Sequence, residues 1–73
     1  MYVQVDREKL RGKRMERMMT QRDLASAAGV SLNTVSRAES RDGHPLFLSS
    51  LQRIALALRC DAIELADLNG RKP

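Results

Sequence analysis

A chain of 73 residues, 42% of them hydrophobic, can bury one core but leaves little interior for a deep catalytic pocket. Thirteen Lys and Arg against nine Asp and Glu give a formal net charge of +4, a balance that favours polyanions such as nucleic acid or anionic lipid without choosing between them. With one cysteine (Cys60) and one histidine (His44) the chain can form neither an internal disulfide nor a Cys/His metal cluster, and no run approaches the roughly 20 apolar residues of a membrane span.

The first segment, Tyr2-Val3-Gln4-Val5, alternates large or β-branched residues with polar ones, which is a short strand pattern. Four residues cannot stand alone as a strand, so this piece is an edge, a dimer contact or a frayed arm. Asp6 is placed to cap a helix over residues 7–18, where Leu10 and Arg14 share a face and Gly12 weakens the helix. The basic residues of this stretch, Arg11, Lys13 and Arg17, read as a solvated face.

Thr20 and Asp23 have the spacing of a capping box, which opens a second helix with Leu24, Ala25 and Ala28 on one side. Gly29 stops it, because glycine enters the left-handed region without a Cβ penalty. Ser31 can cap a third helix with Val35 and Ala38 on its inner side. Arg41-Asp42-Gly43-His44-Pro45 is loop by composition. A fourth helix opens at Ser49 or just before it, with Leu48, Leu51, Ile54, Ala55 and Leu58 as its apolar stripe. Asp61 and Glu64 form another box that predicts a short fifth helix with Ile63, Leu65 and Leu68, stopped by Asn69-Gly70 and followed by a basic tail, Arg71-Lys72-Pro73. The expected architecture is all-α, five helices with a short extended or β N-terminal segment, in one domain spanning 1–73.

The informative stretch is residues 21–40, QRDLASAAGVSLNTVSRAES. It reads as helix, tight turn, helix. Ala25 is small where the helices must cross, Gly29 supplies the turn, and Leu24, Ala28, Val30, Val35 and Ala38 face inward. Leu32, Asn33, Ser36 and Arg37 are left on an outer surface, and a helix so decorated fits the DNA major groove.

TQRDLASAAGVSLNTVSRAE closely resembles the helix-turn-helix of lambda-repressor-like regulators of the Cro/cI or xenobiotic-response-element type. The resemblance runs from about Leu10 to Leu68. It includes Arg14, Gln21, Leu24-Ala25, Gly29-Val30-Ser31, Thr34 to Arg37, Glu39, and the Leu51, Ile54, Ala55 and Leu58 stripe. It implies five packed helices and operator binding, commonly as a two-fold homodimer. It also implies that Arg14 and Glu39 form a structural ion pair across the core. The chain departs from the family where Gly is common at the positions of Met18 and Arg59 and Leu at Lys13. Ser40-Arg41 follows Glu39 where Arg-Gly is frequent, and the loop to the fourth helix is about a residue longer.

The expected function is sequence-specific binding of double-stranded DNA by a transcriptional regulator, a repressor in the first instance, with residues 32–39 as the recognition helix. Asn33 can pair with adenine, Arg37 with guanine, and Leu32 can touch a thymine methyl. Gln21, at a helix N-terminus, is a phosphate or base contact by resemblance. Ser31 and Thr34 touch phosphate or cap the helix, Ser36 shares the outer face, and Arg22 and Arg41 are phosphate contacts. The rival reading is a protein-interaction module, such as an antitoxin or the partner of a second regulator. Ser36, Ser49 and Ser50 lack recognisable catalytic partners, and there is no Gly-rich phosphate loop, so no enzyme, cofactor or metal is expected. Cys60 reads as a buried, inert thiol. The N-terminal stretch lacks a signal peptide's apolar core, so the expected location is the cytoplasm, in association with the nucleoid. Dimerisation could use Tyr2–Val5 by strand pairing or the 63–68 segment by apolar contact.

Overall fold

The computed structural model describes residues 1–41 and 43–68. In chain order it contains β1 (Tyr2–Val3), α1 (Arg7–Glu16), α2 (Gln21–Ala28), α3 (Leu32–Ala38), β2 (Leu46–Phe47), α4 (Leu48–Leu58) and a 3₁₀ turn (Ala62–Glu64). The stop at Asn69-Gly70, the basic tail and Asp42 of the loop lie outside the described residues.

Helix starts follow local capping chemistry. Asp6 accepts from the amides of Glu8 and Lys9, at 3.1 and 3.2 Å, and opens α1. The Thr20–Asp23 box closes in both directions at 3.0 Å and opens α2. Ser31 Oγ accepts from the Thr34 amide at 3.1 Å and opens α3. Helix α4 begins at Leu48, where Phe47 offers no capping side chain; instead the Leu48 amide donates to the Met1 carbonyl at 2.8 Å.

Three of the four described α-helices, α1, α2 and α4, end by one device, whereas α3 ends at Glu39 with φ −94°. Val30 N–H donates to Ala25 O and Gly29 N–H to Ser26 O, the Schellman pair, with Gly29 at φ +71°. The same two bonds close α1 around Met18 (φ +56°) and α4 around Arg59 (φ +57°). These are two of the departures from the family pattern, and here the backbone adopts the glycine conformation with a side chain attached. An L-residue there costs roughly 1–2 kcal/mol, partly offset because glycine loses more freedom on folding. Met18 is 90% exposed, so its side chain contributes no burial. Met18→Gly is therefore expected to stabilise the chain by about 0.5–1 kcal/mol, raising Tm by about 2–8 °C. A thermal melt checks this; an unchanged or lower Tm removes the argument from strain.

The core gathers the predicted apolar stripes. Leu10, Leu24, Val35, Leu51, Ile54 and Leu65 are almost fully buried, each contributing roughly 1.5–3 kcal/mol of transfer free energy. Buried Ala25, Ala28 and Ala38 keep the surfaces small where α2 meets α3 and α4. Among the described ion pairs the charged side chains nearest to full burial are Arg14 and Glu39, 11% and 3% exposed, and they pair with each other.

The N-terminal segment is neither frayed nor free. β1 pairs antiparallel with β2, Tyr2 opposite Phe47 and Val3 opposite Leu46. Val5 bridges Ala66, and both are buried. Alternation turns Leu46 into the core, with Val3 half-buried against it, and leaves Tyr2 and Phe47 outside in an edge-to-face contact, centroids 5.2 Å apart.

The expected fifth helix is a single 3₁₀ turn, so the described residues contain four α-helices rather than five. The Asp61 amide donates to the Glu64 carboxylate at 3.0 Å, as the box predicts. The helix does not continue, because the Leu65 carbonyl accepts from Asp6 N–H at 2.8 Å and the Asp67 amide donates to Gln4 O at 2.9 Å. Those groups are committed to extended pairing and cannot serve the next helical turn. Leu65 is buried as expected, while Ile63 and Leu68 are exposed.

Candidate nucleic-acid interface

The surface is built on α3, a seven-residue helix; an α-helix is about 10–12 Å across with its side chains, a diameter that a major groove about 12 Å wide admits. Val35 and Ala38 are buried beneath it, and this fixes which residues turn outward. Leu32, Asn33, Ser36 and Arg37 are exposed and Thr34 is half-exposed. Asn33 and Arg37 lie four apart and so stand on one side, about one turn from each other. Their side chains, and that of Arg22 in the first turn of α2, make no hydrogen bond or ion pair with any described residue. Arg41 is likewise exposed, in the turn after α3. Ser31 and Thr34 are partly engaged: Ser31 Oγ caps α3 and lies 2.8 Å from the Thr34 hydroxyl.

Behind α3 stands a strong ion pair. Arg14 Nε and Nη2 donate to the two carboxylate oxygens of Glu39 at 2.7 and 2.9 Å, and the side chains are only 11% and 3% exposed. Arg14 Nη1 donates to the Met19 carbonyl at 2.7 Å. The hydrogen-bonded Glu39 carboxylate pushes the Arg14 guanidinium still further toward its charged form. Gln21 joins this group: its Nε2 donates to Glu39 Oε1 at 3.1 Å, and the residue is half-buried. The pair thus ties the end of α3 to α1 and to the start of α2, which makes the outer face of α3 a rigid surface.

Other long side chains are committed to structure rather than to solvent. Arg17 Nε donates to the Leu58 carbonyl at 3.0 Å, satisfying an orphan acceptor at the end of α4. Lys13 pairs with Glu64 at 3.2 Å. That pairing raises the Lys13 pKa, while the Asp61 amide and then Lys13 hold Glu64 below the usual carboxylate range. Lys13 and Arg17 therefore do not form the purely solvated face that sequence suggested. Arg53 Nη1 reaches the Gly29 carbonyl at 3.3 Å and steadies the turn between α2 and α3. The amide and hydroxyl of Thr20 likewise depress Asp23, so this carboxylate beside Arg22 is occupied by the cap. Cys60 is half-buried against the core, and burial pushes its thiol up, away from the reactive thiolate.

The helix-turn-helix family model of the Cro/cI type matches residues 10–65, more than half of the chain. This chain belongs to the helix-turn-helix family. The family is one of DNA-binding transcription regulators, not of enzymes. No curated protein matches the chain. Among the described residues no helix is long and apolar enough to cross a membrane, and no group of three or more His, Cys, Asp or Glu is placed to hold a metal ion. The matched segment begins at Leu10, the first core residue of α1, and ends at Leu65, so β1 lies outside it.

Proposed function

We propose that this helix-turn-helix protein binds double-stranded DNA in a sequence-specific way, with α3 in the major groove, and represses transcription by occupying its operator. The observation that carries the reading is the pair Asn33 and Arg37: two side chains with base-pairing chemistry, on one exposed side of a helix, without hydrogen-bond or ion-pair partners among the described residues. Groups of this kind serve no packing role, and their donors and acceptors are free for base edges. Arg22 and Arg41 flank them as phosphate contacts, Leu32 offers an apolar surface to a thymine methyl, and Ser36 lies on the same outer face. Ser31 and Thr34, partly used by the cap, retain oxygens and protons for phosphate. Gln21 is anchored to Glu39 by its amide nitrogen; from the first turn of α2 its remaining N–H and the backbone amides there are the groups offered to a phosphate.

A two-fold homodimer on DNA, acting in the cytoplasm at the nucleoid, completes this reading. Exposed Leu56, Ile63 and Leu68 provide apolar surface for self-association. Repression needs nothing beyond occupancy, so no cofactor is invoked. The module is read as a single domain in which α1, α4 and the 3₁₀ turn support the α2–α3 unit.

The test is a selection from a random duplex pool, followed by titration of the enriched duplex at several salt concentrations. Log affinity is expected to fall linearly with log salt, by about 0.9 for each phosphate neutralised. Arg22→Ala is expected to lower that slope by about 1. No enrichment, or affinity indifferent to salt, overturns the reading.

A further inference from the structure

We propose that the Tyr2–Phe47 aromatic pair is a second DNA-contacting element, which packs its ring edges against the sugar and thymine-methyl edge of the strand beside the bases faced by Asn33 and Arg37. The inference rests on the DNA-binding reading above and extends it to β1, which the family match does not cover, and to Phe47 opposite it.

The first observation is placement. A groove of about 410 Å³ lies between the Asn33–Arg37 side of α3 and the β1–β2 ribbon, and Tyr2 and Phe47 line its far wall with His44 and Pro45. The aromatic pair and the base-reading candidates thus face one common space. The second is exposure. The chain has one Tyr, one Phe and no Trp, and both rings stay outside the core, 72% and 47% exposed. The inward positions of the same two-residue ladder, Val3 and Leu46, already seal the core beneath. A purely structural pair would gain more by facing inward.

The third observation is rigidity. The ribbon is held by its antiparallel register, by the Met1–Leu48 hydrogen bond at 2.8 Å and by the edge-to-face ring contact. The rings are therefore presented in a fixed position relative to α3, and little ordering is needed on binding. The fourth is charge. Among the described residues the groove is lined by a guanidinium and an imidazole and by no carboxylate, a lining that complements a polyanion. Aromatic rings beside a cationic edge match a nucleic-acid strand, which offers phosphates outside and apolar sugar and methyl surface inside.

Tyr2 is the chain's single tyrosine, so 3-fluorotyrosine labelling gives one ¹⁹F resonance that reports this ring alone. Saturating the labelled chain with the duplex enriched by the parent is expected to shift that resonance, with binding followed in parallel by anisotropy of the labelled duplex. Tyr2→Ala is expected to bind the duplex about 10-fold more weakly and to lose preference at a base pair flanking the Asn33 contact. Its salt slope should equal the parent's, because the ring neutralises no phosphate. A resonance that stays put while anisotropy reports a saturated complex overturns the proposal and leaves the DNA-binding reading standing. A resonance that moves with protein concentration alone assigns the pair to contact between copies, and also overturns it. If no duplex binds, both readings fall together.

Discussion

Glu39→Ala is expected to destabilise the fold by about 3–5 kcal/mol, the usual cost of stranding one partner of a desolvated ion pair. Arg14 would keep only its bond to the Met19 carbonyl, with Nε and Nη2 left in a site that is 11% exposed, and Gln21 would lose its acceptor. A chain of this size has a total stability of about 4–11 kcal/mol, so the variant would lie near the edge of folding at 25 °C. Urea denaturation followed by circular dichroism measures the change. Joint replacement, Arg14→Met with Glu39→Leu, should recover most of the loss, because an apolar pair of similar volume carries no unpaired charge. A single variant as stable as the parent would mean that water reaches and solvates Arg14. A double variant no better than the single would mean that the pair contributes through specific geometry rather than through the absence of an orphan charge.

Truncating Asn33 or Arg37 to Ala is expected to cost about 1–3 kcal/mol of discrimination at one base pair per half-site. Neither side chain touches the core, so the melting temperature should change little. The two effects should fall on neighbouring positions of the operator, because the residues stand about one helical turn apart on the same side. Arg41→Ala, by contrast, should weaken binding to all sequences alike, since a phosphate contact carries no base identity. Repeating the duplex selection with each purified variant reads both outcomes. If Asn33→Ala and Arg37→Ala enrich the parent's operator with the same mismatch penalties, specificity lies elsewhere, and the Tyr2–Phe47 ribbon or the shape of the DNA becomes the reader.

The helix boundaries show how far local chemistry reaches. Asp6, Thr20 with Asp23, and Ser31 each cap the helix that their spacing announced, because the partner amide lies two or three residues away in the same segment. The α3 face was legible for the same reason: burial of Val35 and Ala38 follows from helical period, and the exposure of Asn33 and Arg37 from their complement. Gln21 was only half legible. Its place at the start of α2 was plain, but its bond to Glu39 spans 18 residues.

Local sequence suffices for the four principal helices, the apolar stripes that join them and the outward residues of α3, since each depends on groups within one or two turns. The Arg14–Glu39 pair was legible only through family resemblance, as its members are 25 residues apart. Tertiary structure alone decided where Tyr2–Val5 goes. A four-residue strand takes whichever edge the rest of the chain presents, here Leu46–Phe47 on one side and Ala66 beyond. That choice in turn ended the last helix after one 3₁₀ turn, because Asp6 and Gln4 claimed the backbone groups of Leu65 and Asp67. It also decided that Arg17 and Lys13 serve structure. A long cationic side chain has the same local signature whether it meets solvent or the distant Leu58 carbonyl or Glu64 carboxylate, so only the assembled fold can assign its partner.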